Sequence, residues 1–280
     1  MSRKKPRPTP VPPEPLAEVF DAHTHLASCG AADAESVRAV MDRAAAAGVS
    51  GVCTVGDGID EAELALQAAH ADDRIVAACA VHPTRAHELT DDVRARLRAL
   101  VADDRCVAVG ETGLDTYWIT HDPEGTAPLD VQEEALRWHM GLAAEVGKPL
   151  MIHNREADED LMRVLDDAPD GLTVMLHCFS SPLEVALEAV DRGYYLSFCG
   201  NVTFKRNEEL RQAAARVPGD RILVETDAPY MTPEPFRGAR NEPTFVGYTA
   251  RLLAEVRGVD PDEFGATVSE NARRLYGLTV

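Results

Sequence analysis

The sequence predicts a single-domain (β/α)₈ barrel, an α/β fold of the TIM type, and three observations carry that expectation. Eight short apolar runs alternate with helix-length amphipathic stretches along the chain. Several runs are nearly continuous in apolar residues, the mark of parallel strands covered on both faces. The length, 280 residues, is close to what eight βα units need as one domain. An open doubly wound sheet competes, but eight units without a glycine-rich dinucleotide fingerprint weigh against it.

The elements follow in order. Residues 1–15 hold six prolines together with Arg3, Lys4, Lys5 and Arg7. Too few apolar residues stand there to fold, so the segment reads as a disordered, solvated tail, with the barrel over 16–280 and no second domain. The apolar runs are EVFDAHTHL, GVSGVCTVG, RIVAACAVHP, CVAVGETGLD, PLMIHNR, LTVMLHCFS, YYLSFCGNV and RILVETDAPY. Between them lie helical patterns such as AESVRAVMDRAAAAG and LDVQEEALRWHMGLAAEVG. The second ends at Gly147, a C-terminal cap residue, with Pro149 as the stop.

Composition removes several function classes. No run of 18 apolar residues occurs, so no membrane association is expected. The basic start MSRKKPRPTPVPPEP has no apolar stretch behind it, which excludes a secretory signal and points to the cytoplasm. Cys29, Cys53, Cys79, Cys106, Cys178 and Cys199 form no C-x-x-C pair and read as buried, inert thiols. The net charge of −19 argues against a broad basic face for duplex DNA. An acidic chain can act on nucleic acid where bound metal supplies a local positive potential, which favours single strands or strand ends. Nothing in the sequence calls for an obligate protein partner.

The ionisable motifs stand at the C-terminal ends of the predicted strands, where a barrel builds its active site. His23 and His25 lie two apart in DAHTH, so alternation turns both to one side, able to chelate one metal. Glu111 follows the apolar Cys106–Val109 run, where an ionised carboxylate is costly unless paired or metal-bound. His153, His177 and Asp227 end the fifth, sixth and eighth runs. Taken singly, each fits a hydrogen-bonded strand-end residue. Together they put four imidazoles and two carboxylates on one rim, a pattern that points to a binuclear metal site.

These motifs resemble those of the TatD-related DNases, within the amidohydrolase superfamily of metal-dependent barrels. The resemblance rests on DAHTHL, GETGLD, the histidine of MIHNRE, HCFSS, ETDAPY, RGARNEP and ENARRLYG, and covers residues 19–277. GETGLD together with HCFS and ETDAPY is highly specific. The resemblance implies that His23, His25 and Asp227 hold a first divalent ion, His153 and His177 a second, and that Glu111 bridges them. Ser181 stands where the family often has glycine, and a longer stretch, TYWITHDPEGTAPLD, follows GETGLD. Both departures bear on substrate shape and leave the ligand set intact.

Two divalent ions against two carboxylates leave the site at about +2, a trap for a phosphodiester. Asp227 is the candidate for orienting the attacking water and taking its proton. Imidazole-rich ligation suits zinc or manganese better than magnesium; family members are commonly assayed with magnesium, so all three ions stay open. His82 and Arg155 are candidate substrate contacts, set against a structural hydrogen bond for the first and a salt bridge with Glu156 or Asp158 for the second. Asp115 and Glu225 read as acceptors for the outer nitrogens of ligand histidines. Arg237, Arg240 and Asn241 read as fixing a loop, and His70, His87, His121 and His139 as surface residues. The expected activity is a metal-dependent deoxyribonuclease digesting from the 3′ end. The alternative is an ester or amide hydrolase on the same site, acting on small molecules or D-aminoacyl-tRNA.

Overall fold

The computed structural model describes residues 8–278. All eight apolar runs become strands: β1 (Val19–Thr24), β2 (Val49–Gly56), β3 (Ile75–Cys79), β4 (Cys106–Asp115), β5 (Leu150–Arg155), β6 (Val174–Leu176), β7 (Tyr195–Phe198) and β8 (Ile222–Val224). They pair in chain order, every neighbour parallel. Past the end of β8, Asp227 N donates to His23 O (3.0 Å) and His25 N to Ala228 O (2.8 Å), drawing β8 against β1 and closing the ring. The expected barrel is the observed one.

The helices are α1 (Ala34–Ala46), α2 (Ile59–Ala71), α3 (Asp91–Val101), α4 (Thr116–His121), α5 (Leu129–Val146), α6 (Asp158–Leu165), α7 (Leu183–Asp191), α8 (Glu208–Arg216), α9 (Val246–Arg257) and α10 (Pro261–Tyr276). Local chemistry starts and stops them. Asp33 and Ser36 form a capping box on α1, Thr90 caps α3, and Asp260 caps α10 ahead of Pro261. Gly147 ends α5 at φ +66°, in the left-handed region its sequence position predicts.

Strand residues sort into two apolar layers. Val52, Ile75, Val109, Leu150 and Ile222 face the helices, whereas Phe20, Val55, Val76, Met151, Met175 and Leu223 fill the barrel interior. Burying each such side chain contributes about 1.5–3 kcal/mol. The last turn of α10 closes the mouth where the strands begin: Tyr276 is buried among interior residues, and its hydroxyl donates to Ala22 O at 2.7 Å.

Two expectations need correction. Of the segment read as a disordered tail, residues 1–7 lie outside the described residues, but the chain from Val11 to Pro15 is docked on α9. Tyr248 donates to Val11 O, Arg251 donates to Glu14 O and Pro15 O, and Pro13 is buried against Gly247. Proline fixes the backbone in extended form and leaves carbonyls free to accept, so the helix arginine holds what composition alone reads as solvated. His139 is not a surface residue: it is fully buried on α5. Its Nε2 accepts from Val81 N (3.3 Å) and its Nδ1 donates to Ala135 O (2.7 Å). Burial lowers its pKa to about 4.

Candidate metal centre

The strands deliver their ionisable ends to one point. Between Asp21 and Thr24 the pairing of β1 with β2 slips by one residue, a bulge of the kind that re-aims a side chain. His23 thereby sits with its Nδ1 3.1 Å from the interior Met151 Sδ. Asp21 does not join the cluster. It accepts from Thr226 N (2.8 Å) and Thr226 Oγ1 (2.6 Å), tying β1 to the end of β8, and burial pushes its carboxyl up to about 8.

Two glycines bring β4 close enough for Glu111 to reach the centre. A Cβ on Gly110 would lie 2.3 Å from Met151 Cβ, and one on Gly113 would lie 2.0 Å from His153 O, with φ at +146°. Only glycine fits at either position. The motif GETGLD is therefore as much a packing requirement as a chemical one.

Glu111 is buried and its two oxygens face different partners. Oε1 lies 3.6 Å from His23 Nε2 and 3.4 Å from His25 Nε2. Oε2 lies 3.2 Å from His153 Nδ1 and 2.7 Å from His177 Nε2. Asp227 Oδ1 joins the first group, 3.7 Å from His23 Nε2 and 3.5 Å from His25 Nε2. All six residues singled out in the sequence converge within this space.

The outer nitrogens of three histidines have acceptors. His153 Nε2 faces Asp115 Oδ2 (3.0 Å), His177 Nδ1 faces Glu225 Oε1 (3.1 Å) and His25 Nδ1 faces Val55 O (3.2 Å). With protons held there, the inner nitrogens present lone pairs. His23 and His25 bring two such nitrogens to 3.1 Å, and His153 and His177 bring two to 3.4 Å. Lone pairs that close require a proton or a cation between them, so the donor set fits divalent ions. The electrostatics agree. Against burial, which lowers it, the Asp227, Asp57 and Glu111 carboxylates raise His25 to about 9. Against burial, which raises it, His177 and His23 hold Glu111 well below the usual carboxylate range. The cluster demands positive charge at its centre.

The site opens into a cavity of about 700 Å³ walled by strand ends and the loops after them. Four non-glycine residues among those described have a positive φ: Glu156, Cys178, Asp227 and Met231. All four line this cavity. Each such backbone costs on the order of 1–2 kcal/mol, and strain of this kind collects where side chains must be aimed.

The remaining candidates divide. His82 caps the 3₁₀ turn Pro83–Glu88, its Nδ1 accepting from Thr84 N, while its Nε2 stands 4.0 Å from Glu111 Oε2. Arg155, the candidate substrate contact, lines the cavity and forms no salt bridge with Glu156 or Asp158, the alternative set against it. Asp158 instead accepts from Asn154 (2.6 Å) and Ser181 (2.5 Å), and the Arg155 guanidinium lies 3.8 Å above the Tyr117 ring. Asn241 donates to Thr226 O and Tyr230 O, and Arg240 to Ser28 O, as loop-fixing residues do. Cys29 and Cys178 are half-buried where full burial is expected. Cys178 lines the cavity with its Sγ 2.8 Å from Cys199 Sγ, and that neighbour together with burial holds its thiol well above the ordinary range, as in an unreactive thiol.

Three cavity residues escaped sequence reading. Asp57 stands 3.4 Å from His25 Nδ1, its carboxyl pushed by burial up to about 6. It directly follows the second apolar run, GVSGVCTVG, close to the strand-end position of the chosen ligands, so the sequence carries that signal. Trp118 and Tyr230 carried none beyond being aromatic.

The family of TatD related DNases matches residues 20–277. The chain is 53% identical over 262 residues to an uncharacterized metal-dependent hydrolase TatD of Mycobacterium tuberculosis, covering 93% of this chain and 98% of that one. It is 37% identical to a 3′-5′ ssDNA/RNA exonuclease TatD of Cronobacter sakazakii, covering 85% and 90%. The crystal structure of YjjV, a TatD homologue from Escherichia coli, superposes with a TM-score of 0.84 at 27% identity, covering 93% and 98%.

Proposed function

Since the chain belongs to the TatD-related DNase family of metal-dependent hydrolases, we propose that it is a deoxyribonuclease that removes nucleotides from the 3′ end of single-stranded DNA, using two divalent ions. The observation that carries this reading is the division of Glu111, one oxygen toward His23 and His25, which Asp227 also faces, and the other toward His153 and His177. A single carboxylate shared between two imidazole sets is the arrangement of a bridging ligand. The 3′ polarity and the single-stranded substrate follow the name of the Cronobacter relative, a 3′-5′ ssDNA/RNA exonuclease.

Bound divalent ions would supply positive charge that polarises the phosphoryl group and lowers the pKa of water. His23, His25 and Asp227 would hold one ion, His153 and His177 the other, and Glu111 both. The chain's own residues do the rest. Asp115 and Glu225 keep His153 and His177 in the tautomer that turns a lone pair inward. Asp227, on the cavity wall, orients the attacking water and accepts its proton. Among the described residues, Arg155 is the guanidinium lining the cavity that no carboxylate holds: Arg85, the other, is held by Glu61 and Glu88. The phosphate flanking the scissile bond falls to Arg155. A cavity of 700 Å³ encloses a small ligand and excludes a duplex, which accords with an acidic chain acting on strand ends.

The test is metal-depleted protein reconstituted with zinc, manganese or magnesium and given 5′-labelled single-stranded and duplex oligonucleotides beside a carboxylic ester. A ladder shortening from the 3′ end, strongest on the single strand, with about two ions per chain by metal analysis, is the expected result. Ester hydrolysis without cleavage of DNA would move the activity to acyl transfer on the same residues. One ion per chain at saturating metal would remove the bridge.

A further inference from the structure

Of the six exposed large hydrophobic side chains among the described residues, three line this single cavity: Trp118 (40% exposed), Tyr230 (52%) and Met231 (37%). Trp118 follows β4 on α4, and Tyr230 follows β8. Those strands stand four places apart in a ring of eight, so the two residues line the cavity from opposite sides of the barrel. We propose that Trp118 and Tyr230 are stacking platforms for the unpaired bases of the strand, flanking the phosphodiester that the central cluster cleaves. This rests on the phosphodiesterase reading and adds how the strand is held.

The backbone of each aromatic residue is fixed to the cluster while its ring stays partly exposed, that of Trp118 meeting only the Tyr117 ring edge-on at 5.2 Å and the Arg155 guanidinium among the aromatic and cationic contacts of the described residues. Trp118 N donates to Asp115 Oδ1 (2.8 Å), and the other oxygen of that carboxylate faces His153. Tyr230 N donates to Asp227 O (2.8 Å), Tyr230 O accepts from Asn241 (2.7 Å), and the ring centroid is 6.0 Å from that of His25. Both rings are thus positioned relative to the reacting centre without being consumed in packing. Full burial would stabilise each ring further, so the exposed part of each is surface held open at the rim of the cavity.

Beside Trp118, the Arg155 guanidinium lies 3.8 Å over the Tyr117 ring and 5.5 Å from that of Trp118. Cation–π contact fixes the guanidinium without using its N–H donors, which stay available to phosphate. In a chain of net charge −19, attraction from Lys and Arg is scarce, so affinity has to come from elsewhere. Stacking supplies it independently of charge and sequence, because every base has a π-face. It also selects against duplexes, whose bases are already stacked on one another.

The experiment compares the metal-loaded full chain with Trp118→Ala, Tyr230→Ala and Trp118→Phe on a single-stranded oligonucleotide and on the same strand bearing stable abasic residues at its 3′ end. The alanine variants should raise KM on the ordinary strand roughly tenfold or more, with kcat changed much less and the abasic strand nearly unaffected. Trp118→Phe should recover most of the loss. Equal losses on both strands, or none, would overturn the proposal while leaving phosphodiester cleavage intact. A second readout does not need turnover: in a Trp138→Phe background Trp118 is the sole tryptophan of the two, so its fluorescence reports on its ring alone. Quenching by the ordinary strand but not by the abasic one is expected. Quenching by neither would end the stacking idea even if no DNA were cleaved, whereas absence of cleavage with quenching intact would count against the nuclease reading alone.

Discussion

The two ends of the barrel are built by the same eight strands and carry opposite chemistry. Where the strands begin, the turn of α10 packs Leu275 and Tyr276 against Phe20, Val76, Val107 and Met175. Where they end, four imidazoles and two carboxylates meet in a space buried almost as deeply. His23 stands next to Ala22, one residue separating the reactive end from the apolar one. Every non-glycine residue with a positive φ among those described lines the reactive mouth, while the other end has relaxed backbone. Stability therefore resides in one mouth and chemistry in the other, although no boundary in the chain divides them. Substitutions should separate the two properties.

The sharpest separation is expected at Glu111. Glu111→Gln keeps the shape but removes a charge shared by both candidate ion positions, and should lower kcat/KM on the order of 10³-fold, about 4 kcal/mol. The melting temperature of metal-depleted protein should move by only a few degrees. Turnover near wild type would mean that Glu111 does not join the two halves of the site.

Next comes the buried His139, which belongs to neither mouth and titrates through stability alone. Its pKa is about 4 folded against 6.5 ordinarily, so the unfolded chain takes up the proton first. The contribution of the neutral ring is complete above pH 6.5 and is lost as pH falls toward 4, by roughly 3 kcal/mol in all. Denaturant midpoints of metal-depleted wild type and His139→Gln, measured between pH 4 and 7.5, should differ in slope over that window. Parallel curves would show that His139 does not carry the acid sensitivity.

A smaller effect is expected from the carboxylates that hold the imidazoles. Asp115→Asn and Glu225→Gln each remove a charged acceptor and should weaken metal affinity 10- to 100-fold, roughly, with the fold intact. Metal titration followed by calorimetry measures this directly. If activity at saturating metal returned to wild type, their role would be confined to holding the ion.

Much of this division is legible in the chain. Six of the eight strand runs carry an ionisable residue toward their ends, as in CVAVGETGLD and RILVETDAPY, because one strand must serve both the interior and the mouth. The site residues stood out because an ionisable group after buried Val or Ile has few inexpensive explanations. Other features were hidden for physical reasons. His139 falls on the α5 face that buries Gln132, Ala135, Leu136 and Ala143, so helical spacing holds the answer, while the polarity of an imidazole points the other way. Trp118 is exposed only because Asp115 fixes its backbone at the rim, a contact that depends on tertiary structure. The docking of residues 11–15 depends on Arg251, more than 230 residues away, and no local pattern encodes it.

The smallest effect tests the comparison most severely, because it acts at the apolar mouth beside a site residue. The Tyr276 hydroxyl donates to Ala22 O at 2.7 Å, and Ala22 precedes His23. Tyr276→Phe leaves the ring packed and deletes one buried hydrogen bond, which costs about 1 kcal/mol. If the bond serves only the closure of the barrel, denaturant stability falls by that amount while metal stoichiometry, KM and kcat stay at wild type. If it also fixes the β1 bulge that turns His23 inward, metal affinity and kcat fall with it, out of proportion to so small a change in stability. The first outcome is expected, because His23 is held independently: its carbonyl accepts from Asp227 N, and its backbone N–H donates to Asp21. A fall in kcat would show that the two mouths are one cooperative unit, coupled through a single residue of β1.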